Sequence, residues 1–229
     1  MKNVVIMVCS DFEWDYIIDH FKPEKLEKSI YGYWFIDEKL SDGKRKVIWF
    51  HGGWGKIASS GSTQYAIDKW QPELIINIGT CGGFKGKINK DQVVLINETV
   101  VYDMIDLFGE SDNSLEKFKT VIDLDWLMDE IIKNLPKALM VTADQDLAPE
   151  RIAELYNKYG AIVGDWESGA IAWVAARNKQ KLLIIRGVSD LVGIDGGEVY
   201  GKDDTIVREG VKSVMQNLIE IVEKFIRVI

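Results

Sequence analysis

Short apolar, β-branched segments alternate along the whole chain with longer segments of helical periodicity. This alternation is typical of an α/β fold built on a largely parallel sheet, because each parallel strand needs a crossover, usually a helix, to reach the next. We predict strands over 4–9, 33–37, 46–51, 74–79, 92–97, 138–142, 161–165 and 181–188. Helices are predicted over 13–21, 56–70, 125–134, 149–159, 167–178 and 205–226.

The predicted strands 74–79 and 181–185 are almost continuously apolar. Strands of this kind are covered by helices on both faces, so we place both in the middle of the sheet. We predict the greatest mobility for 110–116 and for the Gly- and Asp-rich segment 193–204. Because the chain has 229 residues and neither a repeat nor a linker composition, one domain over 1–229 is expected, with two small domains as the weaker alternative.

The charge balance is acidic, with 36 Asp and Glu against 28 Lys and Arg and a formal net charge of -8. Nucleic acids and anionic membrane surfaces attract proteins through basic patches, so neither is an expected partner. The first apolar run, 3–9, is too short for a signal peptide core and is followed at once by acidic residues. No stretch approaches the ~20 apolar residues of a membrane span.

The cysteines and histidines do not form a pattern typical of a metal site. Cys9 and Cys81 lack ligand-like spacing, and His20 and His51 do not complete a zinc set with them. We therefore expect a reduced, cytoplasmic protein that holds no structural metal.

Polar residues follow four of the predicted strands, in the segments 10–13, 79–83, 164–170 and 186–190. In open α/β sheets ligands bind at the carboxyl ends of the strands, so carboxylates from three of these segments are expected at one rim. The glycines of 79–83 predict a turn that allows close backbone approach. That turn lacks the spacing of a dinucleotide-binding or P-loop motif.

A plainer interpretation exists for most of these residues. Asp11 and Glu13 begin a predicted helix, so they can simply cap it and interact with its dipole. The same explanation applies to Asp165 and Glu167. Arg186 is harder to explain in this way, because a cation beside a buried strand is costly unless a carboxylate or a ligand compensates it.

Four segments carry motif-like sequences: GWGK at 53–56, IINIGTCGG at 75–83, DWESGAIA at 165–172 and RGVSD at 186–190. In order and spacing they resemble the purine nucleoside phosphorylase and nucleosidase superfamily, and most closely its 5'-methylthioadenosine/S-adenosylhomocysteine nucleosidases. The resemblance implies a single-domain, three-layer α/β sandwich with a central mixed, largely parallel sheet. It also implies a homodimer that acts on a small purine nucleoside without a cofactor.

The resemblance assigns catalytic roles to residues of three segments. It implies that Asp190 is the acid that protonates the purine at N7 and that Ser189 orients it. Glu13 is implied to be the base that activates water, and Arg186 and Thr80 match positions that line the water site. Paired carboxyl groups suit this chemistry, because cleavage of the glycosidic bond builds positive charge on the ribose and negative charge on the leaving base.

Further residues are implied to bind the substrate. Glu167 matches the residue that grips the ribose hydroxyls, and Trp166 stands where the family has a methionine beneath the ribose. The remaining implied contacts are Gly82, Asp146 and Leu147. Asp146 departs from the family, which places an aromatic residue over the adenine there. The family's pocket for the 5' substituent corresponds to 101–116, which is too diverged to interpret.

Water is the expected nucleophile. A phosphate nucleophile would need several cationic side chains in the pocket, usually arginines. The whole chain has only six arginines, and it carries Asn77 where the resemblance to hexameric phosphorylases would place one. The alternatives are a phosphate-dependent purine nucleoside phosphorylase, a nucleosidase for another purine nucleoside such as a futalosine-type compound, and a nucleoside-binding protein without catalytic activity.

Overall fold

The computed structural model describes residues 2–104, 117–201 and 204–229. The strands are β1 (Lys2–Val8), β2 (Glu27–Lys28), β3 (Tyr33–Ile36), β4 (Arg45–His51), β5 (Leu74–Phe84), β6 (Val93–Val101), β7 (Lys119–Val121), β8 (Lys137–Thr142), β9 (Val163–Asp165), β10 (Leu182–Gly193) and β11 (Gly196–Gly197). The helices are α1 (Asp11–Phe21), α2 (Gly55–Trp70), α3 (Glu130–Lys133), α4 (Ile152–Tyr159), α5 (Ser168–Arg177) and α6 (Asp204–Val228), with a 3₁₀ turn at Pro149–Arg151.

The strands form a mixed sheet that closes on itself. Its order runs β10-β6-β8-β9-β5, and β5 pairs in turn with β10, so these five strands make a ring. From β5 the sheet continues through β1, β4, β3 and β2. The prediction of a mixed α/β fold is confirmed. The predicted three-layer sandwich is not what these strands form, because the pairing of β5 with β10 turns part of the sheet into a closed barrel.

The β5 and β10 strands are longer than predicted. The glycine-rich segment 79–83 was expected to be a turn, but β5 runs through it to Phe84 and stays paired with β10. These glycines make room for neighbours, since a Cβ on Gly83 would lie 2.7 Å from side-chain atoms of Ile88 and Val188. The site residues on β5 and β10 therefore lie within paired strands, close to a bulge between Val188 and Asp190, and not beyond strand ends.

Helices cover both faces of the central strands. Alternate residues of β1 show this, because Val4 and Ile6 join a core cluster that includes Leu218 of α6, while Val5 joins another that includes Ala66 of α2. The same two clusters divide the residues of β5 and β10, as predicted for interior strands. The apolar repeat of α6 packs in the first cluster, as its periodicity indicates.

Several element predictions differ from the structure. The helix predicted over 125–134 is present only as α3. The strands β2, β7 and β11 were not predicted, because segments of two or three residues carry little periodic signal. The predicted mobile segment 110–116 lies outside the described residues, together with the rest of 105–116. Residues 202–203 of the predicted mobile segment 193–204 also lie outside them. In the described parts of the chain, no helix combines the length and apolar character that a membrane span requires.

Candidate active site

A cavity of about 240 Å³ lies beside the bulge of β10, between the start of α1 and the loops that follow β8 and β11. All the predicted site residues except Arg186 line it: Glu13, Thr80, Gly82, Asp146, Leu147, Trp166, Glu167, Ser189 and Asp190. The segments singled out in the sequence therefore meet at one place, although they are up to 177 positions apart in the chain (190 minus 13).

Glu13 lies in the first turn of α1 and is only 4% exposed. Its Oε1 accepts hydrogen bonds from the Thr80 amide at 2.6 Å and the Thr80 hydroxyl at 2.8 Å. Its Oε2 lies 3.4 Å from the Ser10 amide, so the residue also closes the start of the helix. Burial raises the pKa of Glu13, and the Thr80 hydrogen bonds and the charge of Arg186 oppose that rise. The neighbouring Asp11 is exposed and interacts with His51 instead.

Asp190 follows the β10 bulge and is 8% exposed. The Ser189 hydroxyl lies 2.8 Å from Asp190 Oδ1, to which it donates, and 3.3 Å from the Cys81 carbonyl. Burial raises the pKa of Asp190, opposed by the Ser189 hydrogen bond and reinforced by the charge of Glu198. Burial therefore favours the protonated form of this carboxyl group.

Arg186 lies behind the cavity wall and is 2% exposed. Its Nε and NH2 nitrogens each lie 3.1 Å from Asp165 Oδ2, and its NH2 also donates to Asn77 Oδ1 at 2.6 Å. Asp165 in turn accepts a hydrogen bond from the Thr142 hydroxyl at 2.8 Å. A carboxylate or a ligand was expected to compensate Arg186, and the structure shows that Asp165 does so. The Arg186–Asp165 pair therefore helps to support the site from behind.

Glu167 immediately precedes α5 and reaches across to the start of α2, where the Gly55 amide donates to its Oε1 at 2.9 Å. Burial, followed by the charges of Asp165 and Glu13, raises the pKa of Glu167 to about 8. Burial and the two neighbouring carboxyl groups therefore favour the protonated form of Glu167.

Three aromatic residues of the cavity were not predicted. Trp54 pairs with Trp166, their ring centroids 4.7 Å apart, and Phe12 and Tyr200 line other parts of the wall. The Tyr200 hydroxyl donates to the Leu147 carbonyl at 2.6 Å. Trp54 lies inside the GWGK motif, so the sequence gave an indication of its place in the site. Nothing in the sequence around Tyr200 points to a site.

The cavity is acidic. Its lining in the described part of the chain includes the carboxyl groups of Glu13, Asp146, Asp165, Glu167 and Asp190 and no lysine, arginine or histidine. Among the same described residues, no group of three or more Cys, His, Asp or Glu is arranged to hold a metal ion. The arrangement can accordingly supply proton donors, acceptors and hydroxyl-binding groups to a neutral or cationic ligand.

The chain is similar to known nucleosidases. The 5'-methylthioadenosine/S-adenosylhomocysteine nucleosidase of Tolumonas auensis is 27% identical over 166 residues, which are 67% of this chain and 72% of the relative. The 5'-methylthioadenosine nucleosidase of Arabidopsis thaliana in its apo form superposes with a TM-score of 0.80 at 20% identity, over 100% of this chain and 97% of that one. A futalosine hydrolase mutant of Helicobacter pylori superposes with a TM-score of 0.77 at 14% identity, over 98% and 100% of the two chains.

The family match extends along almost the whole chain. The model of the phosphorylase superfamily matches residues 3–227, a range that contains β5, β10 and every other segment that lines the cavity. The chain belongs to the phosphorylase superfamily.

Proposed function

We propose that this protein hydrolyses the N-glycosidic bond of a purine nucleoside, namely 5'-methylthioadenosine, S-adenosylhomocysteine or a related 5'-modified adenosine. One observation carries the proposal: two carboxyl groups face the same cavity, Glu13 held by Thr80 and Asp190 held by Ser189. The names of the curated relatives point to the same reaction.

Asp190 is the proton donor in this proposal. Cleavage pushes an electron pair onto the leaving purine, and protonation at N7 neutralises it. The raised pKa of Asp190 keeps a protonated fraction available, and Ser189 fixes the orientation of the carboxyl group. The proton thus passes from Asp190 to the base as the glycosidic bond breaks.

Glu13 is the base that orients and deprotonates the attacking water. Thr80 holds one of its oxygens with two hydrogen bonds, which leaves Oε2, weakly bound by Ser10, to receive the proton. The raised pKa makes Glu13 a stronger base than an exposed glutamate, and general base catalysis is most effective when the pKa of the base is near the working pH. Arg186 contributes through its charge from behind the wall, without lining the cavity.

Glu167 binds the ribose hydroxyl groups. The Gly55 amide occupies its Oε1, so Oε2 faces the substrate as the freer oxygen. With a pKa of about 8 the group is mostly protonated at neutral pH, and a carboxylic acid can donate as well as accept a hydrogen bond. Contacts of this kind stabilise the reaction most when they strengthen as positive charge develops on the ribose. The pair of Trp54 and Trp166 lies beside this end of the cavity.

Water is favoured over phosphate as the nucleophile by the charge of the cavity. A phosphate would bring about two negative charges into a described lining that offers carboxyl groups and no cation. The buried Arg186 is already engaged by Asp165 and Asn77. Phosphorolysis and a futalosine-type nucleoside remain the alternative reaction and the alternative substrate.

The chain is proposed to act as a single domain over 1–229 in a cytoplasmic homodimer. Support for a dimer comes from apolar side chains exposed near the start of α2, where Trp54 is 63% and Ile57 is 88% exposed. Exposed apolar side chains that lie together are typical of protein–protein interfaces and of the rims of ligand-binding grooves. Light scattering of wild type and Ile57→Asp tests this: a monomeric wild type contradicts the dimer.

The reaction is tested by measuring base release from methylthioadenosine in phosphate-free buffer and again with phosphate added. Free 5-methylthioribose in both conditions supports hydrolysis, whereas a sugar 1-phosphate formed only with phosphate would assign a phosphorylase. Binding without turnover of any purine nucleoside would leave the non-catalytic alternative. Glu13→Gln serves as the matched inactive control, because it removes the base while keeping the size of the side chain.

A further inference from the structure

Tyr200 reaches the cavity from the loop between β11 and α6, a part of the chain in which no motif was found. Its ring packs closely against Gly197, where a Cβ would lie 2.7 Å from three ring atoms. The loop is tied to β10 by the Glu198 amide, which donates to the Leu191 carbonyl at 3.0 Å. Tyr200 is therefore held in place before any ligand binds.

The hydrogen bond that Tyr200 makes within the protein determines whether its hydroxyl can act as a donor or as an acceptor toward a ligand. The hydroxyl donates its only hydrogen to the Leu147 carbonyl at 2.6 Å. Burial, with smaller contributions from the charges of Asp146 and Asp190, raises the pKa of this phenol well above its usual value, so it stays neutral and keeps that hydrogen. While that bond is kept, the phenol oxygen can only accept a hydrogen bond from a ligand, because donating to the ligand would leave the Leu147 carbonyl without its partner.

We propose that Tyr200 is a specificity-determining residue that selects 6-aminopurine over 6-oxopurine nucleosides, through a phenol oxygen that the Leu147 carbonyl orients as an acceptor. The inference rests on the proposed nucleoside hydrolysis and names the base that this site prefers. It concerns discrimination between substrates, and Asp190 and Glu13 keep their roles in the reaction.

The position of Tyr200 places it at the base end of the cavity. Tyr200 lines the same cavity as Asp190, the proposed donor to N7, and its hydroxyl is hydrogen-bonded to Leu147, the neighbour of Asp146. On a purine, the 6-substituent lies on the same side as N7, so a group near Asp190 faces that edge of the base. The Tyr200 ring also supplies an aromatic surface in a pocket where the segment 142–147 contributes Asp146 instead of an aromatic residue.

The chemistry of the base edge then favours an amino group. A 6-amino group donates a hydrogen bond to the Tyr200 oxygen. A 6-oxo group presents a second acceptor to the same oxygen, and buried acceptors that face each other lose the hydrogen bonds they would make in water. Sites built around such a requirement discriminate strongly between substrates that differ by one donor.

The test compares 5'-methylthioadenosine with 5'-methylthioinosine, which differ only at C6. We expect wild type to favour the amino compound in kcat/KM, and Tyr200→Phe, which keeps the ring, to reduce that ratio by about tenfold. Tyr33→Phe makes the same chemical change on an exposed strand and should leave the ratio unchanged. A ratio that Tyr200→Phe does not alter overturns the inference.

Binding of the free bases separates this inference from the proposed reaction. Calorimetry with adenine and hypoxanthine needs no turnover, so it reports on Tyr200 even if the protein cleaves neither nucleoside. In that event the proposed hydrolysis fails, and a preference for adenine that Tyr200→Phe reduces still supports the selection. Equal loss of affinity for both bases in Tyr200→Phe would show that the hydroxyl only supports the loop, and it would overturn the inference.

Discussion

Thr80 directs both of its donors to one oxygen of Glu13, with the amide at 2.6 Å and the hydroxyl at 2.8 Å from Oε1. The close approach depends on Gly79, because a Cβ there would lie 2.9 Å from both carboxyl oxygens. The glycine of β5 thus admits a carboxyl group against the strand backbone. As a result, Thr80 fixes Oε1 of Glu13, and Oε2 is left available for proton transfer.

Glu13→Gln should lower kcat by about 10²-fold or more, because the amide cannot take a proton from water. Binding of a non-hydrolysable nucleoside analogue should change much less, since the side chain keeps its size and can still accept from Thr80. The matched control is Asp11→Asn, whose carboxylate is 84% exposed and outside the cavity lining. An inactive Asp11→Asn beside an active Glu13→Gln would show that the wrong carboxylate has been assigned.

Asp190→Asn should keep the fold and lower kcat by about 10²-fold or more, the usual effect of losing a general acid. The carboxamide is nearly isosteric and can still accept the Ser189 hydrogen bond, but it has no acidic proton to give to N7. Asp19→Asn, on the exposed side of α1, is the control. Steady-state kinetics with methylthioadenosine decide the matter, and turnover near the wild-type rate in Asp190→Asn would exclude this residue as the acid.

Sequence patterns predicted the elements well where they were long or strongly apolar, as in α2, α6 and the apolar halves of β5 and β10. The motifs and the segment 10–13 also contained most of the polar cavity residues, because those residues stand in short segments with fixed order. The pairing of β5 with β10 past the glycines was not predictable in the same way. It depends on contacts such as Gly83 with Val188, more than 100 positions away.

The roles of buried groups were equally hard to predict. Arg186 required a compensating partner, but only the fold shows that Asp165 supplies it and that the guanidinium lies behind the wall. Tyr200 had no sequence signal, because a tyrosine in a Gly-rich loop becomes part of a cavity only when that loop folds back over β10. Local sequence patterns therefore predicted most of the site residues, whereas the contacts between them depend on the tertiary structure.

Glu167 should make the stability of the protein decrease as the pH rises. Its pKa is about 8 in the folded chain and 4.5 ordinarily, so the folded state binds the proton more tightly. The stabilisation is fully present below about pH 4.5 and is lost as the pH rises through about 8, with a limiting slope of ~1.4 kcal/mol per pH unit for one proton. Urea unfolding between pH 5 and 9 measures it.

In Glu167→Gln the part of the slope that belongs to this carboxyl group should disappear. The amide can still accept the Gly55 hydrogen bond, so the variant should fold. Glu154→Gln, which changes an exposed carboxyl group on α4 outside the cavity, provides the control and should keep the wild-type slope. Identical pH profiles for Glu167→Gln and wild type would mean that Glu167 titrates normally in the folded protein.

Asp146 is where the cavity departs most from the related nucleosidases, and it tests how the base is held. The residue lines the cavity on the loop after β8, where the resemblance predicts an aromatic residue above the base. A contact between an aromatic side chain and a base is worth roughly 1 to 3 kcal/mol in nucleic-acid binding sites. Asp146→Phe should therefore lower KM for the adenine nucleosides by about tenfold or more.

The measurement is a panel of methylthioadenosine, S-adenosylhomocysteine, adenosine, inosine and guanosine, assayed with wild type and with Asp146→Phe. Asp125→Phe makes the same change on an exposed loop outside the cavity and should leave every KM unchanged. If wild type prefers a purine whose ring N–H donates to the Asp146 carboxylate, Asp146→Phe should abolish that preference, because phenylalanine has no acceptor. A panel in which Asp146→Phe alters neither the ranking nor the KM values would place this residue outside the base pocket, and the proposed alignment of the segment 142–147 with the family would then be wrong.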